Sequence, residues 1–500
     1  MKYITDKYRE HANQQPEKLA IRRSNEEMNY REWYEVVNRT ANWLDSLQEK
    51  RRRVIAFLLP NGIPFMQLFA GAAHAGWTAV PIDEKWTPAE IADRLRIACP
   101  AIVVGPRDMF PDEFVVKSLQ DYLQEISHMP SRYMADVRSN VEEVTSKQEI
   151  FSKRTEPFYM GFTSGTTGRP KAFLRSQLSW VSSYICSEMD FGVIGEQRIL
   201  VPGALVHSHF LYGAIHALHA GATIELLEKF SVTQVKERLE SGKVDTVYVV
   251  PTMMEALLRE GIHLPRPVKA ISSGAKWQDQ AKLELACAGF ETYELYGASE
   301  LSFVTVMGGE RSIEEHEPRN SVGRACTGVE IEIRRADGSF ATPNETGKIF
   351  VRSGLLFDGY LQADGTIETI HDARGFITVD DMGWLDEAGY LHIAGREKNM
   401  ILYGALNLYP EEIERVLMRH SNVLEVAVVG VPNDYWGEIA VAAIRGSATK
   451  LELQRWCKLK GLAAYKIPRR WYFIEEMPYT TSGKVARAEL RGLIGEEVHN

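Results

Sequence analysis

The segment Thr163-Ser164-Gly165-Thr166-Thr167-Gly168-Arg169-Pro170-Lys171 sets four hydroxyls, two glycines and two cations within nine residues. Glycine tolerates φ > 0 and has no Cβ, so the chain turns tightly and a ligand can approach the backbone. Successive N–H groups in such a turn make an anion-binding concavity, to which hydroxyls and Lys171 add donors and charge. This is the chemistry of a loop that grips phosphate. It is not a Walker A loop, because no Gly-Lys-Ser/Thr follows four residues after a glycine. A plain Gly/Thr/Ser surface turn is the competing reading of this segment alone. Downstream, in order, stand Tyr296-Gly297-Ala298-Ser299-Glu300, Asp380-Asp381-Met382-Gly383, Gly395-Arg396-Glu397-Lys398, Gly404-Ala405-Leu406-Asn407 and Ser482-Gly483-Lys484. Each carries a carboxylate, a cation or a bare backbone position. Read singly, Tyr296–Glu300 is as well a helix start with an acidic first turn, and Lys484 a solvated charge.

The elements that must hold these groups follow two grammars. Up to about residue 330, β-branched runs alternate with amphipathic helical patterns. Strands are expected at Val54–Leu59, Trp77–Ile82, Ala222–Leu227 and Thr246–Val250. Helices are expected from Pro64 to Ala75, from the Thr87 cap with Pro88 and Glu90, and through Val232, Val235 and Leu239. Strand–helix–strand alternation implies crossover units and largely parallel, helix-covered sheets. From about residue 325 the pattern turns antiparallel, with strands at Val329–Arg334, Gly347–Arg352 and Asp386–Ile393 and turns at Asp337-Gly338 and Asp364-Gly365. A compact tail follows, with a helix from Pro410 and strands at Val426–Val431 and Val441–Ile444.

Composition narrows the class. Five hundred residues exceed one hydrophobic core, so at least two domains are expected. A net charge of −9 argues against a nucleic-acid surface. The run Arg51-Arg52-Arg53 reads as the solvated end of a helix–strand turn. Cys99, Cys186, Cys287, Cys326 and Cys457 are scattered and form no CxxC pair, which reads as reduced thiols without a metal or disulfide framework. With no signal-peptide core at the N-terminus and no long apolar run, a cytoplasmic, membrane-free enzyme is expected.

The six segments, in this order and spanning the chain, resemble the adenylate-forming superfamily of acyl-CoA synthetases, non-ribosomal adenylation domains and luciferases. The resemblance implies an α/β fold. Two helix-covered, mostly parallel sheets and a small β-barrel-like subdomain at 325–395 would make an AMP-binding domain over 1–395. A hinge at 396–399 and a small mobile α+β domain over 400–500 would follow. It implies a reaction in which a carboxylate attacks the α-phosphate of ATP, pyrophosphate leaves, and the acyl-adenylate passes its acyl group to the thiol of coenzyme A.

The resemblance distributes roles as follows. Thr163, Ser164, Gly165, Thr166, Thr167 and Gly168 hold the β- and γ-phosphates, with Lys171 as a mobile cation. Glu300 is the Mg²⁺ ligand, with Thr166 as a second oxygen donor. Tyr296 stacks on adenine beside Gly297, Ser299 reaches the α-phosphate, and Gly274 and Ala275 border the nucleotide and acyl group. Asp381 grips the ribose hydroxyls and Arg396 adds a donor. Asp380 stands where the family has glycine, which puts the local backbone in question. Lys484 stabilises the adenylation transition state, Lys398 belongs to the hinge, and Gly404 lines the pantetheine path, with Ala405 replacing a frequent second glycine.

The acyl pocket is expected from Val206, His207, Phe210, Leu211, Tyr212, Trp277, Leu301, Phe303 and Val304. His207 closes the carboxylate pocket or is a plain core histidine. This apolar lining, without an acid for an α-ammonium group, suits an alkyl or aryl chain rather than an amino acid, with a fatty acid as the leading expectation. The chain ends about sixteen residues after Lys484, leaving no room for a carrier domain and favouring CoA. A stand-alone enzyme loading a separate carrier protein, and a silent protein that binds ATP or acyl-adenylate, are the alternatives.

Overall fold

The computed structural model describes residues 3–47, 53–132, 156–164, 170–274, 277, 279–309, 318, 321–404, 406–433, 435–479 and 485–497. Gly165, Thr166, Thr167, Gly168, Ala275, Ala405 and Lys484 lie outside the described residues. The chain divides into two compact units, 1–330 with 351–377, and 331–350 with 378–500.

The first unit contains two sheets among its described residues. One has nine strands, in the order Arg324–Ala325, Ser302–Gly308, Phe290–Ala298, Val268–Ser273, Thr246–Val249, Arg198–Val201, Thr223–Leu226, Leu19–Arg23 and Glu26–Asn29. From Phe290–Ala298 through Leu19–Arg23 every pairing is parallel. The other has eight strands, in the order Ile367–Glu368, Gly359–Leu361, Pro170–Ser176, Pro157–Ser164, Thr78–Pro81, Val54–Phe57, Ile102–Val104 and Val116–Lys117. Its pairings are parallel from Pro157–Ser164 onward.

The reasons are local. Val54–Phe57 is buried throughout, as a parallel strand covered on both faces must be. Thr87 caps helix Pro88–Ala98 reciprocally: its Oγ1 accepts from Glu90 N at 3.3 Å, while Glu90 Oε2 accepts from Thr87 N at 2.8 Å. Helix Ile63–His74 is buried from Phe65 to Ala73, so its apolar pattern runs all round rather than along one stripe.

In the second unit Val329–Arg334, Gly347–Ser353, Asp381–Leu385 and Leu391–Arg396 form a four-stranded sheet in that order. A further sheet runs Leu406–Leu408, Ile401–Tyr403, Gly437–Gly446 and Val423–Asn433, with Arg470–Phe473 parallel to Gly437–Gly446. Ile413 and Leu417 from helix Pro410–Leu417, Leu453 from Lys450–Leu459 and Leu490 from Arg487–Glu497 join its core.

Two expectations change. The stretch 325–395 is not one piece, because Gly359–Leu361 and Ile367–Glu368 extend the eight-stranded sheet through Gly359↔Leu174. Nor is Asp386–Ile393 one strand. Asp386 Oδ1 accepts the N–H groups of Ala388 and Tyr390, and Gly389 has φ +81°, so a turn precedes Leu391–Arg396.

Candidate functional site

Ligands of parallel sheets gather beyond the carboxyl ends of the strands. In the nine-stranded sheet Arg198–Val201, Thr246–Val249, Val268–Ser273 and Phe290–Ala298 are mutually parallel neighbours. Gly274 follows the third of them directly, and Ser299-Glu300 the fourth. His207 follows the first, as N-cap of helix Ser208–Ala220. Gly274 has φ +95° and open space where a Cβ would stand. In the other sheet the expected phosphate loop follows Pro157–Ser164. The residues on its two sides are held in antiparallel register, Thr163↔Lys171 and Ser164↔Pro170.

Tyr296, Gly297, Ser299 and Glu300 do not start a helix. Phe290–Ala298 pairs antiparallel with Ser302–Gly308, with an irregularity between Tyr296 and Gly297. A Cβ on Gly297 would stand 1.9 Å from Ser302 O, so this crossing accepts only glycine. The turn between the strands carries Ser299 and Glu300. Glu300 is 8% exposed, and its Oε1 accepts a hydrogen bond from Tyr360 Oη at 2.9 Å. Its other carboxylate oxygen has no hydrogen-bond partner among the described residues. A carboxylate oxygen without a hydrogen-bond donor is the ligand a hard divalent cation takes, so the residues present fit magnesium. Lys171 Nζ lies 5.0 Å from the Tyr360 ring centroid. Lys171, in the strand Pro170–Ser176, is thus brought together with Tyr360 and Glu300.

Tyr360 was missed in the sequence. Its available signal was Gly359, whose φ is +143° and whose Cβ would meet Glu368 O at 2.4 Å. Such a forced glycine next to an aromatic marks a close backbone crossing. Also unforeseen was Arg175, only 3% exposed, whose guanidinium reaches the carbonyl of Ser299 at 2.9 Å and that of Leu355 at 2.6 Å. Burial lowers the pKa of Arg175 to about 10, opposed by the charge of Asp358. Burial likewise raises Asp358 to about 6, against a Ser176 hydrogen bond and the Arg175 charge.

His207 is exposed and makes no side-chain cap to its helix. Desolvation by the surrounding protein lowers its pKa, and Asp83 opposes that shift. It is not a plain core histidine. The expected pocket residues divide. Leu211, Leu301 and Val304 are fully packed, whereas Val206 and Phe303 are half-buried. Tyr212 lies edge-on to Phe303 at 4.8 Å, and its hydroxyl is held by Ser183 at 3.1 Å and Ser187 at 2.7 Å. Trp277 belongs instead to a core cluster with Val235, Leu239 and Leu285, so it packs helices against the sheet.

In the second unit Asp381 and Arg396 face each other across paired strands, with Arg396 Nε 3.2 Å from Asp381 Oδ1. Asp381 is 6% exposed. Asp380 takes φ +62°, the conformation that glycine would supply. Its N–H donates to Thr378 Oγ1 at 3.1 Å and its carbonyl accepts from Glu397 N at 2.9 Å. Asparagine and aspartate tolerate this region better than other side chains, so the departure preserves the backbone. Lys398 lies in the 3₁₀ turn Glu397–Asn399. Gly404 has φ +62° between Ile401–Tyr403 and Leu406–Leu408, a backbone conformation that favours glycine independently of any ligand path.

One group with metal-ligand chemistry occurs among the described residues, Cys186 with Asp190 and Cys326, although the cysteines looked dispersed in sequence. Its carboxylate already accepts from Thr327 N at 2.7 Å and Thr327 Oγ1 at 2.8 Å, and Cys186 Sγ donates to it at 3.3 Å. This is a closed structural clasp between helix Gln177–Phe191 and the Thr327 segment. No described helix is long and apolar enough to cross a membrane.

Residues 8–361 match the family of AMP-binding enzymes, and 412–484 match the AMP-binding enzyme C-terminal domain. An uncharacterized acyl–CoA ligase, YhfT, of Bacillus subtilis (strain 168) is 45% identical over 497 residues, 99% of each chain. A 2-succinylbenzoate–CoA ligase of Bacillus cereus (strain AH820) is 28% identical over 489 residues, 96% of each chain. In fold, the chain is similar to o-succinylbenzoate CoA synthetase (MenE) from Bacillus subtilis in complex with its acyl-adenylate intermediate, at a TM-score of 0.84, 24% identity and 97% coverage of both chains. A matched family model over most of the length and a 45% identical relative along nearly all of it settle the kinship: the chain belongs to the AMP-binding enzymes of the adenylate-forming superfamily.

Proposed function

We propose that this protein is an ATP- and Mg²⁺-dependent acid–CoA ligase acting on a carboxylic acid with a compact apolar or aromatic body. The observation that carries the ligase reading is the buried carboxylate of Glu300, held by a neutral phenol beside Lys171 and the loop strand. Both reactants are anions, so adenylation needs cations where charge gathers at phosphorus. Magnesium at Glu300 would neutralise phosphate oxygens when bound, while Asp381 and Arg396 would orient the ribose. Lys171 and Lys484 would supply mobile charge, with Lys484 delivered from the C-terminal part about a hinge at Lys398. CoA as acceptor is supported by the relatives named as CoA ligases, and ATP with Mg²⁺ by the similar MenE fold solved in complex with ATP and a magnesium ion.

The substrate class rests on packing. Gly213 lies beneath the Tyr248 ring, where a Cβ would come within 2.8 Å, and Tyr212 is fixed between two serine hydroxyls and Phe303. Aromatic rings fill the space along helix Ser208–Ala220, which favours a short or aryl acid over the fatty acid expected from the sequence. The 2-succinylbenzoate ligases among the relatives act on an acid of that kind. An amino acid is disfavoured because the buried acid near Trp277, Glu294, already pairs with Lys282 and accepts from Trp277 N at 3.0 Å.

The test is pyrophosphate release across short, medium, long and aromatic acids, each with and without CoA. Short or aromatic acids should respond and CoA should accelerate turnover; a response confined to long chains would overturn the substrate class. Lys484→Ala should abolish adenylation yet leave thioester formation from supplied acyl-adenylate largely intact, and Lys398→Pro should do the reverse. Equal loss of both half-reactions in either variant would count against domain alternation.

A further inference from the structure

We propose that Arg175 is a positioning residue that fixes the Glu300 turn for its divalent cation, an assignment that rests on the ligase reading above. Glu300 sits in a two-strand turn, and a turn is the part of a hairpin least constrained by its own ladder. The guanidinium supplies what the ladder does not. Nη1 donates to Ser299 O at 2.9 Å, the carbonyl of the peptide that leads into Glu300. Nη2 donates to Leu355 O at 2.6 Å, and Nε to Ser179 Oγ at 3.2 Å. On the far side, Glu300 O accepts from Phe357 N at 2.9 Å, and the carboxylate accepts from Tyr360 Oη. The acidic turn is therefore laced to the segment 355–360 by bonds from both partners, and Arg175 is the only one of these groups in the strand Pro170–Ser176 that leaves the phosphate loop.

A planar fork is suited to two carbonyls in different directions, which a single ammonium cannot reach together. Burying a guanidinium is costly unless its donors are used, and here each nitrogen has an acceptor. The rival explanation is that Arg175 merely offsets the charge of Asp358, in the same segment. Asp358 Oδ2 has no hydrogen-bond partner, so the guanidinium is spent on carbonyls rather than on that carboxylate. The consequence is mechanical: the loop strand and the cation-binding turn move together through one side chain.

The experiment uses the full-length enzyme and an acid identified by the panel, and follows ATP–pyrophosphate exchange as Mg²⁺ is varied. Arg175→Met should raise the Mg²⁺ concentration for half-maximal exchange by about tenfold or more, the loss expected when buried acceptors lose charged donors. The KM for the acid and the rate of thioester formation from supplied acyl-adenylate should stay near those of the unaltered enzyme. Arg175→Lys should fall between. Arg175→Met combined with Asp358→Asn should remain defective; recovery of Mg²⁺ affinity in that pair would establish charge compensation and overturn the proposal. Uniform loss in every step, tracking a lowered Tm, would also overturn it. If Arg175→Met does not fold, Arg175→Lys decides, and ordinary Mg²⁺ dependence in that variant sinks the assignment. Failure of the ligase reading would show earlier and separately, as no exchange by the unaltered enzyme with any acid.

Discussion

Two buried carboxylates, one in each compact unit, do different work because their neighbours differ. Glu300 sits in a turn and accepts from a phenol, while Asp381 opens a strand and faces the guanidinium of Arg396 in direct register. A carboxylate that accepts only from a phenol has an oxygen left for a cation, the nearby Arg175 guanidinium bonding the backbone of the turn and not the carboxylate itself. One beside a guanidinium is already neutralised and becomes an oriented pair of acceptors, suited to neutral hydroxyls such as those of a ribose. Chemical identity alone would not have separated the two; the partner across the strand or turn does.

Removing charge is the most severe way to probe this contrast. Glu300→Gln keeps the shape and the bond to Tyr360 but deletes the ionised oxygen, so adenylation should fall by about 10²–10³, as when a preorganised charge contact is lost. The check is the Mg²⁺ dependence of pyrophosphate exchange, and a variant with ordinary rate and Mg²⁺ affinity would remove Glu300 from the cation site. Asp381→Asn should cost less. It leaves Arg396 unpaired and weakens two hydroxyl contacts, raising the KM for ATP by about ten- to a hundredfold, with Mg²⁺ dependence little changed. If the two variants gave the same pattern, the division of labour would be wrong.

Much of this was legible in the residues, and the reasons for the rest are specific. The strand–helix alternation revealed the parallel sheets because buried parallel strands are continuous apolar runs, as Val54–Phe57 shows. Thr87 with Glu90 announced a helix start because a capping box is a purely local contact. Tyr360 and Arg175 were silent because their partners lie far away in sequence: Tyr360 is 60 residues from Glu300, and Arg175 reaches Ser299 across 124. Trp277 was misread as pocket lining because a large apolar side chain after a strand looks the same whether it faces a ligand or a core. The middle of the 325–395 stretch was misplaced because an edge hairpin such as Gly359–Glu368 can pair with any available strand; here it took Pro170–Ser176.

Asp380 offers the finest test of the contrast, because it bears on the orientation of Asp381 and not on charge. Its φ of +62° is paid by local hydrogen bonding to Thr378, and its carboxylate lies 3.3 Å from Lys348 Nζ. Asp380→Gly removes the steric cost and forfeits a half-exposed ion pair worth about 0–1 kcal/mol, so stability should change by less than about 1 kcal/mol. Nucleotide KM should stay within about twofold, since the backbone that aims Asp381 is retained. Asp380→Val keeps neither property: a β-branched residue resists φ > 0, and about 1–2 kcal/mol of stability should be lost. Relief of that strain by re-aiming the next residue would raise the KM for ATP while leaving Mg²⁺ dependence alone. Melting curves and ATP titrations of the two variants separate these outcomes. Equal KM values for ATP in Asp380→Gly and Asp380→Val would show that Asp381 is aimed by its pairing with Arg396 alone.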